Sequence, residues 1–210
     1  MKNSLLVAGH TLTLLRNGEE YFPQLLAAID AAQRSVYLET YIFAGDASGR
    51  LVSAALQKAA RRGVIVRVLL DGFGSAELPQ ESIDELLAAG VNVLWFRKEI
   101  GRFSWHRYHL RRLHRKLALI DTHTAFVGGI NIINDLPQGS KAPRLDYAVE
   151  IKGEVVHDIH VSMSRLWLLV SWTHFHRNGE RKKIRQLHRV STQQRVMYLT
   201  RDSLRHRRDI

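Results

Sequence analysis

Apolar positions in the first half of the chain alternate between helical and strand spacings. Segments 24–33, 49–63 and 81–90 repeat apolar residues every three or four positions, which predicts three helices. Pro23 predicts the first turn of the first helix, and Gly63 predicts the end of the second.

Between and after these helices lie three runs rich in β-branched and aromatic residues, Ser35–Phe43, Val64–Gly74 and Val91–Phe96. Such runs predict strands. The β-α-β-α-β order that results predicts an α/β domain, with a mixed, largely parallel sheet flanked by helices.

The second half predicts three more strands, at Lys116–Asp121, Thr124–Val127 and Tyr147–Ile151. It also predicts a helix from Val156 to Trp172. One face of that helix collects six apolar side chains: Val156, Ile159, Met163, Leu166, Trp167 and Val170.

Charge adds a second pattern to this fold prediction. The formal net charge is +11, and segments 97–116 and 177–210 carry net charges of +7 and +8. Two basic segments on an otherwise mildly acidic chain indicate an anionic partner, either phospholipid headgroups or nucleic acid. The 45% apolar content suits a globular fold. The longest apolar run near the end, 166–172, is too short to cross a bilayer, so no transmembrane segment is predicted.

Three polar residues in the middle of the chain have spacings that suit chemistry. If a strand runs from His114 to Asp121, His114 and Lys116 share one face, and Asp121 points to the other. Imidazole is a competent nucleophile near neutral pH, and an ammonium group stabilises charge on a phosphoryl oxygen. Asp121 is then expected to brace the strand from behind.

The residues that follow suit the same substrate. Gly128 and Gly129 would let the backbone approach an anion, and Asn131 could donate an amide hydrogen bond to its oxygens. This combination indicates phosphodiester chemistry through a phosphohistidine.

Zinc binding is a competing interpretation, because His106, His109 and His114 lie close together in the sequence. Arginines surround these histidines, and no cysteine or acidic ligand accompanies them. We therefore expect no metal and no cofactor.

The arrangement H-x-K-x4-D, followed by Gly-Gly and an asparagine, resembles the signature of the phospholipase D superfamily. Within that superfamily, "YLETYIF" and "RGVIVRVLLDGFGS" resemble the amino-terminal half of bacterial cardiolipin synthases of the B type. The resemblance covers nearly the whole chain.

The resemblance implies a role for each motif residue. His114 is implied as the nucleophile or its acid/base partner, and Lys116 and Asn131 as groups that bind phosphoryl oxygens. Asp121 matches the motif aspartate, and Asp146 matches an acid that orients the histidine. The glycine pair belongs to the implied substrate site.

The resemblance also implies a domain organisation. Residues 1–176 are expected to form a first phospholipase D-like catalytic half, 177–194 a basic linker, and 195–210 the start of a truncated second half. The superfamily site uses two His-x-Lys motifs, whereas this chain contains one, at 114–116. A second half or a second copy of the chain would be needed for a complete site.

The implied function is phosphatidyl transfer, giving cardiolipin from phosphatidylglycerol, at the cytoplasmic face of the bacterial membrane as a peripheral protein. Anionic phospholipid is the expected partner, and nucleic acid is not. The alternative is a single-motif phosphodiesterase or nuclease that works as a homodimer. A non-catalytic protein that only binds anionic membrane is a third possibility.

Overall fold

A mixed sheet of eight strands forms the centre of the computed structural model. The structure describes residues 4–7, 9–97, 112–134, 136 and 143–175. The elements in chain order are β1 (Ser4–Val7), β2 (His10–Arg16), α1 (Asn17–Ala31), β3 (Ser35–Thr40), α2 (Ala47–Arg61), β4 (Ile65–Asp71), α3 (Gln80–Ala88), β5 (Asn92–Phe96), β6 (Leu117–Ile120), β7 (Thr124–Gly128), β8 (Tyr147–Lys152) and α4 (Val155–Phe175).

The strands lie in the order β1-β2-β8-β7-β6-β3-β4-β5. The predicted α/β class with a mixed sheet is confirmed, but the expectation of a largely parallel sheet is corrected. Five of the seven pairings between described strands are antiparallel, and only β3-β4 and β4-β5 are parallel. The β-α-β-α-β pattern covered only β3 to β5. Short connections such as the three-residue β6–β7 turn require antiparallel neighbours.

Helices cover both faces of the sheet. The larger core cluster packs α1, α2 and α3 against one face, and α4 packs against the other. β6 serves both clusters, since Ala118 and Ile120 belong to the first and Leu117 and Leu119 to the second. The predicted face of α4 is confirmed: its six apolar residues pack inward in two clusters.

The amino-terminal region differs from the prediction. β2 was not predicted, and α1 begins at Asn17, so Pro23 lies inside the helix rather than in its first turn. Asn17 adopts a φ of 53° at the start of α1 and exchanges two hydrogen bonds with Asp146. Asn17 and Asp146 are 129 residues apart in the sequence. No local sequence pattern could therefore predict their hydrogen bonds.

Several predictions fall on residues that the structure does not describe. Most of the basic segment 97–116 and all of segment 177–210 lie outside the described residues, and so do the expected boundaries of a linker and a second half. Among the described helices, none is both long and apolar enough to cross a membrane.

Candidate active site

Strand pairing brings several chain segments together at one edge of the sheet. β6 runs antiparallel to β3 and β7, with Leu117 opposite both Glu39 and Val127. β8 runs antiparallel to β7, and β4 runs parallel to β3. The carboxyl ends of β3, β4 and β7 therefore meet the amino ends of β6 and β8. We call this place the His114 edge.

The segment 112–116 leads into β6 from this edge. Strand β6 starts at Leu117, so the strand is shorter than the sequence predicted, and His114 and Lys116 lie just before it. His114 is exposed, whereas Lys116 is 6% exposed. The imidazole can thus be reached from solvent while the ammonium group is held inside.

The ring of Tyr41 joins the two residues. Its centroid lies 5.2 Å from that of the His114 ring, and Lys116 Nζ lies 5.3 Å from the Tyr41 centroid. His114 and Lys116 therefore contact the same ring, although the strand on which they were predicted to share a face begins only at Leu117. Sequence reasoning missed Tyr41. Its only signal was its place just after β3, the strand that pairs with β6.

The charge of Lys116 is set by two opposing effects. Burial lowers the pKa of the Lys116 ammonium, and the negative charge of Asp146 raises it, with burial the larger effect. Asp146 comes just before β8, so it reaches Lys116 across the His114 edge. Sequence spacing could not predict that the Asp146 carboxylate lies near the Lys116 ammonium.

Close packing against Asp146 and the start of β8 explains the glycine pair. A Cβ at Gly129 would lie 2.1 Å from Asp146 Oδ1, and one at Gly128 would lie 2.4 Å from the carbonyl oxygen of Tyr147. The N–H groups of Gly128 and Gly129 donate to the carbonyl oxygens of Lys116 and Tyr147. The structure thus gives the glycines a packing role, and their direct contact with a substrate stays a prediction.

Asp146 itself is fixed by its neighbours. Its N–H donates to Asn17 Oδ1 at 3.0 Å, and its carboxylate accepts from the Tyr147 N–H at 2.8 Å. Among the described residues, no hydrogen bond joins Asp146 to His114. The orienting role that the sequence implied for Asp146 stays a prediction.

Asn131 follows β7 at the same edge. Its Oδ1 accepts from the N–H of Ile42 at 3.0 Å, and Ile42 is adjacent to Tyr41. Because the oxygen is used in this way, the amide nitrogen is the group left to donate to a ligand.

Asp121 lies at the opposite end of β6, roughly 16 Å along the chain from Lys116 at the usual strand rise. Its carboxylate accepts the N–H groups of Gln33, Arg34 and Ser35 at 2.7–2.8 Å. Burial raises the pKa of Asp121. The three N–H groups and the Arg34 charge together lower it by more than burial raises it, so the net shift of the pKa is downward. Asp121 braces the turn between α1 and β3, and no described contact brings it to His114.

Glu39, on β3, is a buried carboxyl behind the site that sequence analysis did not select. It is 3% exposed, and Arg115 Nη1 lies 3.3 Å from its Oε2 in an ion pair. Burial raises the pKa of Glu39 to about 7, and Arg115 lowers it only in part. The raised pKa places its ionisation near neutral pH.

Comparison with protein families gives a clear match. The family described as "Cardiolipin synthase, PLD-like domain" matches residues 25–167. Cardiolipin synthase B of Shigella flexneri is 36% identical over 96% of this chain and 49% of that protein, and the one of Escherichia coli strain K12 gives the same figures. The chain therefore spans about half the length of these curated relatives.

Solved structures show the same fold. The crystal structure of Nuc, a phospholipase D family member from Salmonella typhimurium, is similar with a TM-score of 0.57 at 19% identity. The match covers 76% of this chain and 95% of that one. The phospholipase D-like fold expected from the sequence is thereby confirmed.

Replacing Asp121 tests its bracing role. Asp121→Ala should lower the free energy of unfolding at pH 7 by roughly 1–3 kcal/mol, because three backbone N–H groups lose their acceptor. A group whose folded pKa is depressed stabilises above its unfolded pKa, so the difference should fade as pH drops below about 4. Denaturant titrations at several pH values measure this, with the exposed Asp84→Ala as control. Equal stability of the wild type and Asp121→Ala at pH 7 would contradict the bracing role.

Replacing Glu39 tests the buried carboxyl. Its folded pKa lies above the unfolded value, so the wild type loses stability as pH rises from about 4.5 through 7. Glu39→Gln cannot ionise, and its stability relative to the wild type should rise between pH 5 and 8 by roughly 2–3 kcal/mol. Urea titrations across this range provide the measurement, with the exposed Glu85→Gln as matched control. A difference that does not vary with pH would show that Glu39 does not titrate in this window.

Proposed function

The chain belongs to the cardiolipin synthase family of phospholipase D-like domains, and we propose that it supplies one histidine site of a phosphatidyltransferase. A histidine nitrogen attacks the phosphorus of phosphatidylglycerol, so that a P–N bond forms and a P–O bond breaks. Glycerol leaves with a proton from the partner histidine. The hydroxyl of a second phosphatidylglycerol then attacks and gives its proton to the partner histidine, the P–N bond breaks, and cardiolipin forms.

The observation that carries this proposal is the shared contact of His114 and Lys116 with Tyr41. The exposed imidazole is accessible as nucleophile or proton donor. The buried ammonium is held nearby, where its charge acts more strongly on a phosphoryl oxygen than it would in water. The pair provides nucleophile and electrostatic stabilisation without a cofactor.

Two further residues support the same chemistry. Asn131 has an amide nitrogen left to donate, which suits a second phosphoryl oxygen. Asp146 lies close enough to Lys116 to favour its charged form. In the proposed site, the Asp146 charge partly offsets the lowering of the Lys116 pKa by burial.

A complete site needs a second histidine. The sequence has one His-x-Lys and spans about half of its curated relatives. We propose that the second histidine comes from the other half of a longer protein or from a second copy of this chain. Anionic phospholipid at the cytoplasmic face of the membrane is the proposed partner, because basic segments 97–116 and 177–210 suit its headgroups.

His114→Asn tests the proposed nucleophile or acid. The chain is assayed with phosphatidylglycerol vesicles, alone over a concentration series and mixed with the other half of Escherichia coli cardiolipin synthase B. Where the wild type forms cardiolipin, His114→Asn should reduce the rate by about 10³-fold or more and keep the melting temperature. The exposed His157→Asn, on α4, serves as control and should keep full activity.

The outcomes separate the candidate functions. Near-native cardiolipin formation by a folded His114→Asn chain would remove His114 from the mechanism. Cleavage of DNA or a simple phosphodiester by a dimer, without lipid transfer, would favour the homodimeric phosphodiesterase or nuclease. Vesicle binding with no reaction in any mixture would favour the non-catalytic membrane protein.

Lys116→Met separates charge from packing. Methionine keeps an apolar stem of similar length, and the buried ammonium is removed, so the melting temperature should not fall by more than about 2 °C. Transfer should fall by roughly 10²-fold or more because charge stabilisation is lost. Lys58→Met, which removes an exposed ion-pairing lysine, is the control. A fully active Lys116→Met chain would exclude the proposed role of Lys116.

A further inference from the structure

The segment 112–116 lies outside the strands, yet it carries both His114 and Lys116. It is held at Leu113, which is 3% exposed. The N–H of Leu113 donates to Asp71 Oδ2 at 2.6 Å, and its side chain packs with Leu69 and Val170. The residue next to His114 is therefore fixed to the end of β4.

The second oxygen of Asp71 holds a different segment. Asp71 Oδ1 accepts the N–H groups of Phe73 and Gly74 at 2.9 and 3.0 Å. One carboxylate, fully buried at 0% exposure, thus joins the turn after β4 to the segment that carries His114. Among the described residues it forms no ion pair, so backbone N–H groups alone compensate its burial.

That turn also fixes Tyr41. Ser75 Oγ donates to the carbonyl oxygen of Tyr41 at 3.0 Å and accepts the N–H of Phe43 at 3.0 Å. Gly74 lies so close that a Cβ there would be 2.3 Å from the same carbonyl oxygen. Asp71 therefore holds the segment that carries His114 directly, and it holds the turn that contacts Tyr41.

The residue on the other side of His114 has its own anchor. Arg115 forms an ion pair with Glu39 at 3.3 Å, and its Nη2 donates to Ser162 Oγ on α4 at 2.7 Å. His114 thus lies between Leu113, which is tied to the buried carboxylate of Asp71 at the end of β4, and Arg115, which is tied to that of Glu39 on β3.

We propose that Asp71 and Glu39 are positioning residues that clamp the segment 113–115 from both sides, so that His114 and Lys116 meet at Tyr41 before substrate arrives. This inference rests on the proposed function of His114. Neither carboxylate touches the reacting atoms. They act through Leu113 and Arg115, and misplacing a reacting group by about 1 Å can cost roughly 10²-fold in rate.

Asp71→Asn tests the first anchor, because an amide of the same shape has only one acceptor oxygen. Its NH2 group must face either the Leu113 N–H or the N–H groups of the turn, and one of them loses its acceptor. We expect kcat to fall by about 10- to 100-fold with KM changed by less than about threefold. Exchange of the Leu113 or of the Phe73 and Gly74 amide hydrogens should also accelerate.

Leu86→Ala is the matched control. Leu86 is fully buried on α3, away from the segment, and its truncation should lower the melting temperature because it leaves a cavity in the core. Assayed well below both melting temperatures, it should keep kcat and the Leu113 protection. A loss of kcat in Asp71→Asn no greater than in Leu86→Ala would overturn the proposal.

Glu39→Gln tests the second anchor. Glutamine keeps one acceptor for Arg115, so kcat should fall by less than in Asp71→Asn, by about two- to tenfold. Unchanged kcat at pH 8, where the wild-type carboxylate is ionised, would remove Glu39 from the clamp.

If the wild type transfers no lipid under any condition, the proposed function fails, and the clamp is judged by side-chain NMR alone. The His114 and Lys116 signals should shift in Asp71→Asn and stay unchanged in Leu86→Ala. Unshifted signals in Asp71→Asn would then overturn the clamp independently.

Discussion

The antiparallel pairing of β6 with β3 and β7 is the constraint on which the site depends. Because Leu117 pairs with both Glu39 and Val127, the residues just before β6 must lie beside those just after β3 and β7. His114 and Lys116 therefore meet Tyr41, and Asn131 follows at the same edge. The same pairing sends Asp121 to the other end of the sheet. One arrangement of hydrogen bonds thus separates the motif into groups at the site and a group that braces the fold.

The His114 edge is also where the fold buries polar groups. Asp71, Glu39 and Lys116 are each less than a tenth exposed, and each has a different kind of partner. Asp71 accepts backbone N–H groups, Glu39 forms an ion pair with Arg115 in which its Oε2 accepts no hydrogen bond from the described residues, and Lys116 lies near the Tyr41 ring and the Asp146 charge. Buried polar groups without partners are costly, so these contacts leave the segment 112–116 few alternative positions. This irregular segment is held by a hydrogen bond, an ion pair and the packing of Leu113.

The share of each relative that this chain covers agrees with the extent of its fold. The chain spans about half of its cardiolipin synthase relatives, and its fold covers 95% of the Nuc chain. One such fold unit, with its own sheet and cores on both faces, is therefore the natural unit of comparison. Two histidine sites per reaction, as we propose, correspond to two such units.

The sequence by itself determined the family, the α/β class, the central βαβαβ pattern and the inward face of α4. These follow from local spacing, since apolar periodicity and short separations act within a few residues. Only the tertiary structure decided the largely antiparallel sheet, the early start of α1, and the places of Tyr41, Asp71 and Glu39 around His114. Those features depend on which strands become neighbours and on the burial of single polar groups, and contacts between residues far apart in sequence fix both.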